Sequence, residues 1–320
     1  MAIVTQRILI VKTSSLGDIM HGLQVAQALK ENDPGIEIFW VARRRFEALV
    51  RASSAVDQTF IFYRSEGISA FIRLCRDLRH ERFDKVLDFE GLARSGLMTF
   101  FAKSDQKIGR SDAREGATMF YRQLVPLPRL PERRHPVDIL MEFCRAFGFE
   151  TEVRGRVRFL LKEADRVGRA SSVLEPFRIV LTPEGRRERV EWDGFEELAE
   201  RLLKRVDSAV VYVVCQGSNT WANRLKQQWG DRVQKVGTSN LLRMAGCIQE
   251  ADILVGNDCD ALQIGAAVGV EVIGLFGPSD PARVGPYPAW RESNCVLRAP
   301  DGDLKRLKVA DVLDEIEKRV

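Results

Sequence analysis

Short apolar runs with strand character alternate with amphipathic helical segments almost from one end of this chain to the other. In the first half, residues 7–12, 36–42, 58–63 and 85–89 read as strands, and 21–31, 46–52, 68–79 and 92–102 as helices. In the second half, 178–182, 209–214, 252–256 and 271–276 read as strands, with helices at 195–206, 220–229, 241–250, 261–268 and 309–318. Strands joined by helix-length crossovers pair in parallel, so the pattern calls for doubly wound α/β sheets. Such sheets bind ligands beyond the carboxyl ends of their strands. The loops after Lys12, Phe89, Thr182, Val214, Gly256 and Phe276 are therefore where chemistry is expected.

The alternation breaks between residues 103 and 136, where Arg and Pro are frequent, and a loop-rich insert that shapes a pocket is expected there. A helix is expected over 137–147. The 320 residues suffice for two domains of ordinary size. The boundary is placed between residues 165 and 166, giving domains 1–165 and 166–320, and the last helix could pack on either.

No apolar run reaches the roughly 20 residues that a membrane-spanning helix needs. The start passes directly into a strand without the shape of a signal peptide, so a cytoplasmic location is expected. Six cysteines show no C-x-x-C spacing and only three histidines occur, which argues against disulfides and against a metal site. The net charge of +4 is uneven: residues 1–160 carry 26 Lys and Arg against 20 Asp and Glu, the remainder 23 against 25. A basic first half suits an anionic partner, as it also suits a solvated Arg-rich surface.

Two loops carry most of the chemical information. Lys12-Thr13-Ser14-Ser15-Leu16-Gly17-Asp18-Ile19-Met20-His21 joins the first strand to the first helix with hydroxyls, a glycine and an acid. Hydroxyls and backbone amides there can bind oxygen atoms, and Asp18 either caps the helix or reaches a ligand. Asn257-Asp258-Cys259-Asp260-Ala261-Leu262-Gln263, running into Gly265-Ala266-Ala267, places polar residues between a buried strand and a small-residue helix, whose first amides could hold a phosphate. No G-x-G-x-x-G turn follows a first strand, which sets aside a nicotinamide-dependent oxidoreductase.

Together these two loops resemble those of the lipopolysaccharide heptosyltransferases, two-domain glycosyltransferases that use ADP-heptose. The segments Asp88-Phe89-Glu90-Gly91-Leu92-Ala93-Arg94-Ser95-Gly96, Ile108-Gly109, Ala113-Arg114-Glu115-Gly116 and His135-Pro136-Val137 resemble the branch that adds the first heptose. The resemblance covers about residues 7–287. It implies a GT-B fold, two Rossmann-like domains facing across a cleft, the first binding acceptor and the second the donor nucleotide sugar. It further implies inverting transfer without a metal or other cofactor, to an anionic lipid-linked saccharide of the lipopolysaccharide inner core. Peripheral contact with the cytoplasmic face of the inner membrane would follow, and no nucleic-acid partner is expected.

By position in these motifs, Asp18 is the implied catalytic base. Ser15, Gly17, Thr182, Arg189, Asp258, Cys259, Asp260 and Gln263 are the implied donor contacts, Arg189 being the cation nearest Trp192 in its loop. Arg64, Arg94 and Arg114 are candidates for the acceptor's carboxylates and phosphates. Arg43-Arg44-Arg45 could touch lipid head groups or simply start a solvated helix. Where the family has Thr, Gly and His after the motif Asp, this chain has Cys259, Asp260 and Gln263, and the acid expected after Gly217 is missing. These departures open a second reading: a lapsed enzyme that binds a glycan or lipid-linked sugar without transferring.

Overall fold

The computed structural model describes residues 5–129, 135–167, 173–185 and 191–319. They form two compact units that divide between Leu160 and Leu161; the sequence placed this boundary five residues later.

The first unit is built on β1 (Gln6–Val11), β2 (Ile36–Arg43), β3 (Gln58–Phe62), β4 (Lys85–Asp88), β5 (Gln106–Arg110) and β6 (Gln123–Val125). All pairings are parallel, in the order β3-β2-β1-β4-β5-β6. Its helices are α1 (Leu16–Asn32), α2 (Arg44–Ala52), α3 (Gly67–His80), α4 (Ala93–Phe101) and α5 (Pro136–Met141). Strand β1 lies at the centre, and its Ile8, Leu9, Ile10 and Val11 are fully buried. Burial on both faces is why this strand is a continuous apolar run and does not alternate. Each such side chain contributes about 1.5–3 kcal/mol relative to remaining exposed.

The second unit repeats the plan with β7 (Phe177–Thr182), β8 (Ala209–Cys215), β9 (Val233–Gly237), β10 (Ile253–Asn257), β11 (Glu271–Phe276) and β12 (Asn294–Arg298). Their order is β12-β11-β10-β7-β8-β9, again all parallel. Helices α6 (Phe195–Arg205), α7 (Thr220–Trp229), α8 (Leu241–Gln249), α9 (Asp260–Val268), α10 (Pro281–Val284) and α11 (Val309–Glu317) join them. In α6 the buried Phe195, Leu198, Ala199, Leu202 and Leu203 share one face, while Glu197–Arg201 and Glu200–Lys204 ion pairs lie outside. Helix α11 packs on this unit: Val312, Leu313 and Ile316 join its core, and Glu317 pairs with Arg205 at 2.7 Å.

Three expectations change. The interval 103–136 is not a plain insert, because it supplies β5 and β6. Both are short and little buried: β5 adds one fully buried apolar residue, Ile108, and β6 buries only Val125; parallel pairing of β5 to β4 and of β6 to β5, not a long apolar run, makes them strands. The edge strands β9 and β12 were missed for the same reason. The helix expected over 137–147 ends as α at Met141 and continues as 3₁₀ turns over Glu142–Phe147. Helix α1 starts five residues earlier than its periodicity suggests, because Ser15 and Asp18 cap it.

The six cysteines are free thiols. Among the described residues, no helix is long and apolar enough to cross a membrane.

Candidate active site

In the first unit, the carboxyl ends of β1, β2, β3 and β4 bring charged side chains together. Asp18 stands in the first turn of α1, where its Oδ2 accepts from the Ser15 N–H and the Ser15 hydroxyl, each at 2.9 Å. These bonds cap the helix. The side chain is still 43% exposed, so capping leaves it accessible. Partial burial raises its proton affinity, but the Lys12 ammonium, the Ser15 donors and His21 outweigh this and hold the carboxyl below the ordinary aspartate range. Gly17 is buried in the same turn.

Lys12 is the centre of this group. Its Nζ lies 3.3 Å from Glu90 Oε2 and 4.0 Å from Asp18 Oδ2, and both Lys12 and Glu90 side chains are only 8% exposed. Glu90 comes from the loop after β4. It accepts from the amides of Thr13 (3.1 Å) and Ser14 (3.3 Å) and from the Ser14 hydroxyl (3.0 Å). Beneath it, the fully buried Asp88 accepts from the Glu90 and Gly91 amides at 2.9 and 3.0 Å and from the Tyr121 hydroxyl at 2.8 Å. Burial raises the Asp88 carboxyl despite these donors. The Tyr121 ring runs across Gly109, where a Cβ would lie 2.2 Å from it.

Arg110, at the end of β5, is locked to Asp112 by two bonds of 2.9 and 2.7 Å, and its charge acts on both Asp18 and Asp88. His21 packs edge-on against His135, ring centroids 5.0 Å apart, and His135 caps α5 through Nδ1. His135 is thus a buried packing residue.

Beside this group lies an arginine cluster. Arg43 ends β2 in register with Phe62, the Arg94 guanidinium covers the Phe62 ring at 5.6 Å, and Arg64 follows two residues later. Burial lowers the proton affinity of Arg43 and the Arg64 and Arg94 charges lower it further, while Glu90 opposes them. Arg43 Nε is buried without a hydrogen-bond partner among the described residues. The Arg43-Arg44-Arg45 run therefore does not act as one basic patch. Arg44 pairs with Glu47 at 3.0 Å, Arg45 lies over Phe46, and only Arg43 joins the cluster. Arg114 is exposed in a loop, its amide donates to Gly91 O at 2.8 Å, and its charge acts on Asp112.

In the second unit, β7 and β10 end side by side. Gly256 lies opposite Thr182, and a Cβ at Gly256 would meet Thr182 Oγ1 at 1.8 Å, so only glycine fits. Cys259 Sγ lies 3.5 Å from Thr182 Oγ1. Burial raises this thiol, against the pull of Thr182 and the first amides of α9. Asn257 ties the following loop down, donating to Pro183 O at 2.5 Å and accepting from Trp192 N at 3.2 Å. Asp258 is buried at the strand's end, and Asp260, half-exposed, opens α9. A carboxylate in this first turn complements the helix dipole and occupies the field that would attract a phosphate. Gln263 is fully buried, and its Nε2 donates to Val284 O at 2.8 Å and Gly285 O at 3.4 Å. Arg189 lies outside the described residues. Also among the described residues, no group of three or more His, Cys, Asp and Glu is gathered that could hold a metal ion.

Sequence reasoning named Asp18, Arg64 and Arg94, took Arg43 only as part of the 43–45 run, and did not single out Glu90 or Arg110, which the structure groups with Lys12 and Asp18. The available signal was position: each ends or follows a strand at the carboxyl edge of the sheet.

Comparison with known proteins places this geometry in context. The chain is 25% identical over 326 residues to lipopolysaccharide heptosyltransferase 1 of Escherichia coli (strain K12), covering 97% of this chain and 99% of that protein. It is 23% identical over 298 residues to the lipopolysaccharide core heptosyltransferase OpsX of Haemophilus influenzae, covering 87% and 81%. The solved structure of E. coli heptosyltransferase WaaC with ADP matches with a TM-score of 0.79 at 23% identity, over 98% of this chain and 100% of that one. That likeness shows the fold, GT-B. The family described as glycosyltransferase family 9 (heptosyltransferase) matches residues 71–316, and the chain belongs to it: it is a family 9 glycosyltransferase.

Proposed function

We propose that this enzyme moves a heptose, or a closely related sugar, from an ADP-sugar to an anionic, lipid-linked acceptor of the lipopolysaccharide inner core, with inversion and without a metal. The acceptor hydroxyl oxygen attacks the anomeric carbon as the bond to the diphosphate oxygen breaks. Asp18 takes the hydroxyl proton, and ADP leaves with the bonding electron pair. The first unit is read as the acceptor-binding domain and the second as the donor-binding one.

The observation that carries this reading is the pairing of Asp18 with the arginine cluster at one edge of one sheet. Asp18 is held ionised by Lys12 and Ser15 yet stays accessible. Arg43, Arg64 and Arg94 repel one another beside it, a charge excess that an acceptor's carboxylates and phosphates would relieve. The donor assignment is supported by the family and by relatives whose names specify heptose transfer and whose structure was solved with ADP. An acceptor with a lipid anchor implies work at the cytoplasmic face of the inner membrane through peripheral contact.

A second reading, a lapsed transferase that still binds a glycan, is favoured by Asp260 in the first turn of α9 and by Gln263, whose amide is used within the protein. Transfer from ADP-heptose to lipid A bearing Kdo sugars separates the two. The first reading expects turnover that Asp18→Asn abolishes with donor affinity nearly unchanged. Turnover retained in Asp18→Asn removes Asp18 from its role, and no turnover in the unaltered protein favours the second.

A further inference from the structure

Lys12 is a buried cation between two carboxylates of different character. Asp18 is half-exposed, and its Oδ2 accepts both Ser15 donors. Glu90 is buried, nearer to Lys12, and bonded to three donors of the loop that leads to Ser15. An ammonium shared in this way cannot give its whole field to Asp18. The division matters because a carboxylate fully neutralised by a buried lysine is a weak base.

We propose that Glu90 is a positioning residue for the base: it holds the Thr13–Ser14 backbone and takes the larger share of the Lys12 ammonium, so that Asp18 keeps enough proton affinity to accept the acceptor's proton. The inference rests on the reading of Asp18 as base. The charged and titratable groups facing Asp18 are Lys12 from the end of β1, His21 from α1 and Arg110 from β5. Those facing Glu90 are Lys12 and Arg43. Glu90 is the anion among them in contact with Lys12, so its loss leaves Asp18 as the counter-ion that remains within 4.0 Å of that ammonium.

The experiment reads the potential at position 18 independently of turnover. In Asp18→Cys the thiol stands at the half-exposed site, and its rate of alkylation by iodoacetamide against pH gives its titration midpoint at mild pH. Adding Glu90→Gln removes an anion and should lower that midpoint; adding Glu90→Asp, which keeps the charge but withdraws it by one methylene, should lower it less. Should the Gln variant fail to fold, the Asp variant alone carries the test. In the otherwise unaltered enzyme, Glu90→Gln should lower kcat roughly threefold to tenfold with KM for ADP-heptose unchanged, as expected of a weakened base. An unchanged thiol midpoint overturns the inference, even if kcat falls, since Glu90 would then only shape the loop. If Asp18→Asn retains turnover, the assignment of the base fails, while the thiol midpoints still report whether Glu90 divides the charge of Lys12.

Discussion

Gln263 donates its side-chain amide to the backbone carbonyl of Val284 at 2.8 Å, joining α9 to the end of α10. The residue stands at a motif position from which a donor contact was expected, yet this bond holds protein to protein. Truncation to alanine removes this amide donor from the part-buried Val284 carbonyl, which costs about 1 kcal/mol and up to about 3. Gln263→Ala should therefore lower the unfolding free energy of the second unit by that amount, read as a lower urea midpoint. An unchanged midpoint would show that the bond contributes nothing.

Asp260 places a carboxylate where the helix dipole would otherwise attract phosphate. Exchanging it for glycine removes a like charge near the proposed diphosphate, an effect of about 1 kcal/mol that weakens with salt. Asp260→Gly should bind ADP several-fold more tightly than the unaltered protein at low ionic strength, and the gain should shrink at high salt. Equal affinity by calorimetry would mean that the carboxylate faces away from the ligand.

The depressed Asp18 carboxyl has a signed consequence for stability. Its folded-state proton affinity is below that of the unfolded chain, so its contribution is fully present above the ordinary aspartate value of 3.8 and is lost as pH falls through the lower folded value. Asp88 runs the other way. Burial raises it, so its contribution is present below 3.8 and declines as pH rises through its folded value. In urea melts from pH 3 to pH 7, Asp18→Asn should lose stability relative to the unaltered protein as pH rises, and Asp88→Asn should gain. The opposite slopes would contradict the assigned environments.

The legible part of this molecule was its interior. Ile8 to Val11 and Ala209 to Cys215 are apolar because their strands are buried on both faces, and that pattern is visible in sequence. β5 and β6 carry little of it, since edge and near-edge strands are held by a neighbour's backbone. Asp18 was legible because Ser15 and Asp18 form a capping pair whose spacing is local. Glu90 was not, because its partners Thr13 and Ser14 lie 77 and 76 positions away. Arg43 was read with Arg44 and Arg45 as one run; where a strand passes into a helix, successive side chains diverge, and the three meet different partners.

The central claim, a working transferase that uses an ADP-sugar, is tested most directly by calorimetric titration of the purified protein with ADP, UDP and GDP in the absence of added metal. Selective binding of ADP is the result expected here. Binding of none of the three, by a protein shown to be folded, would contradict the claim and favour the lapsed enzyme.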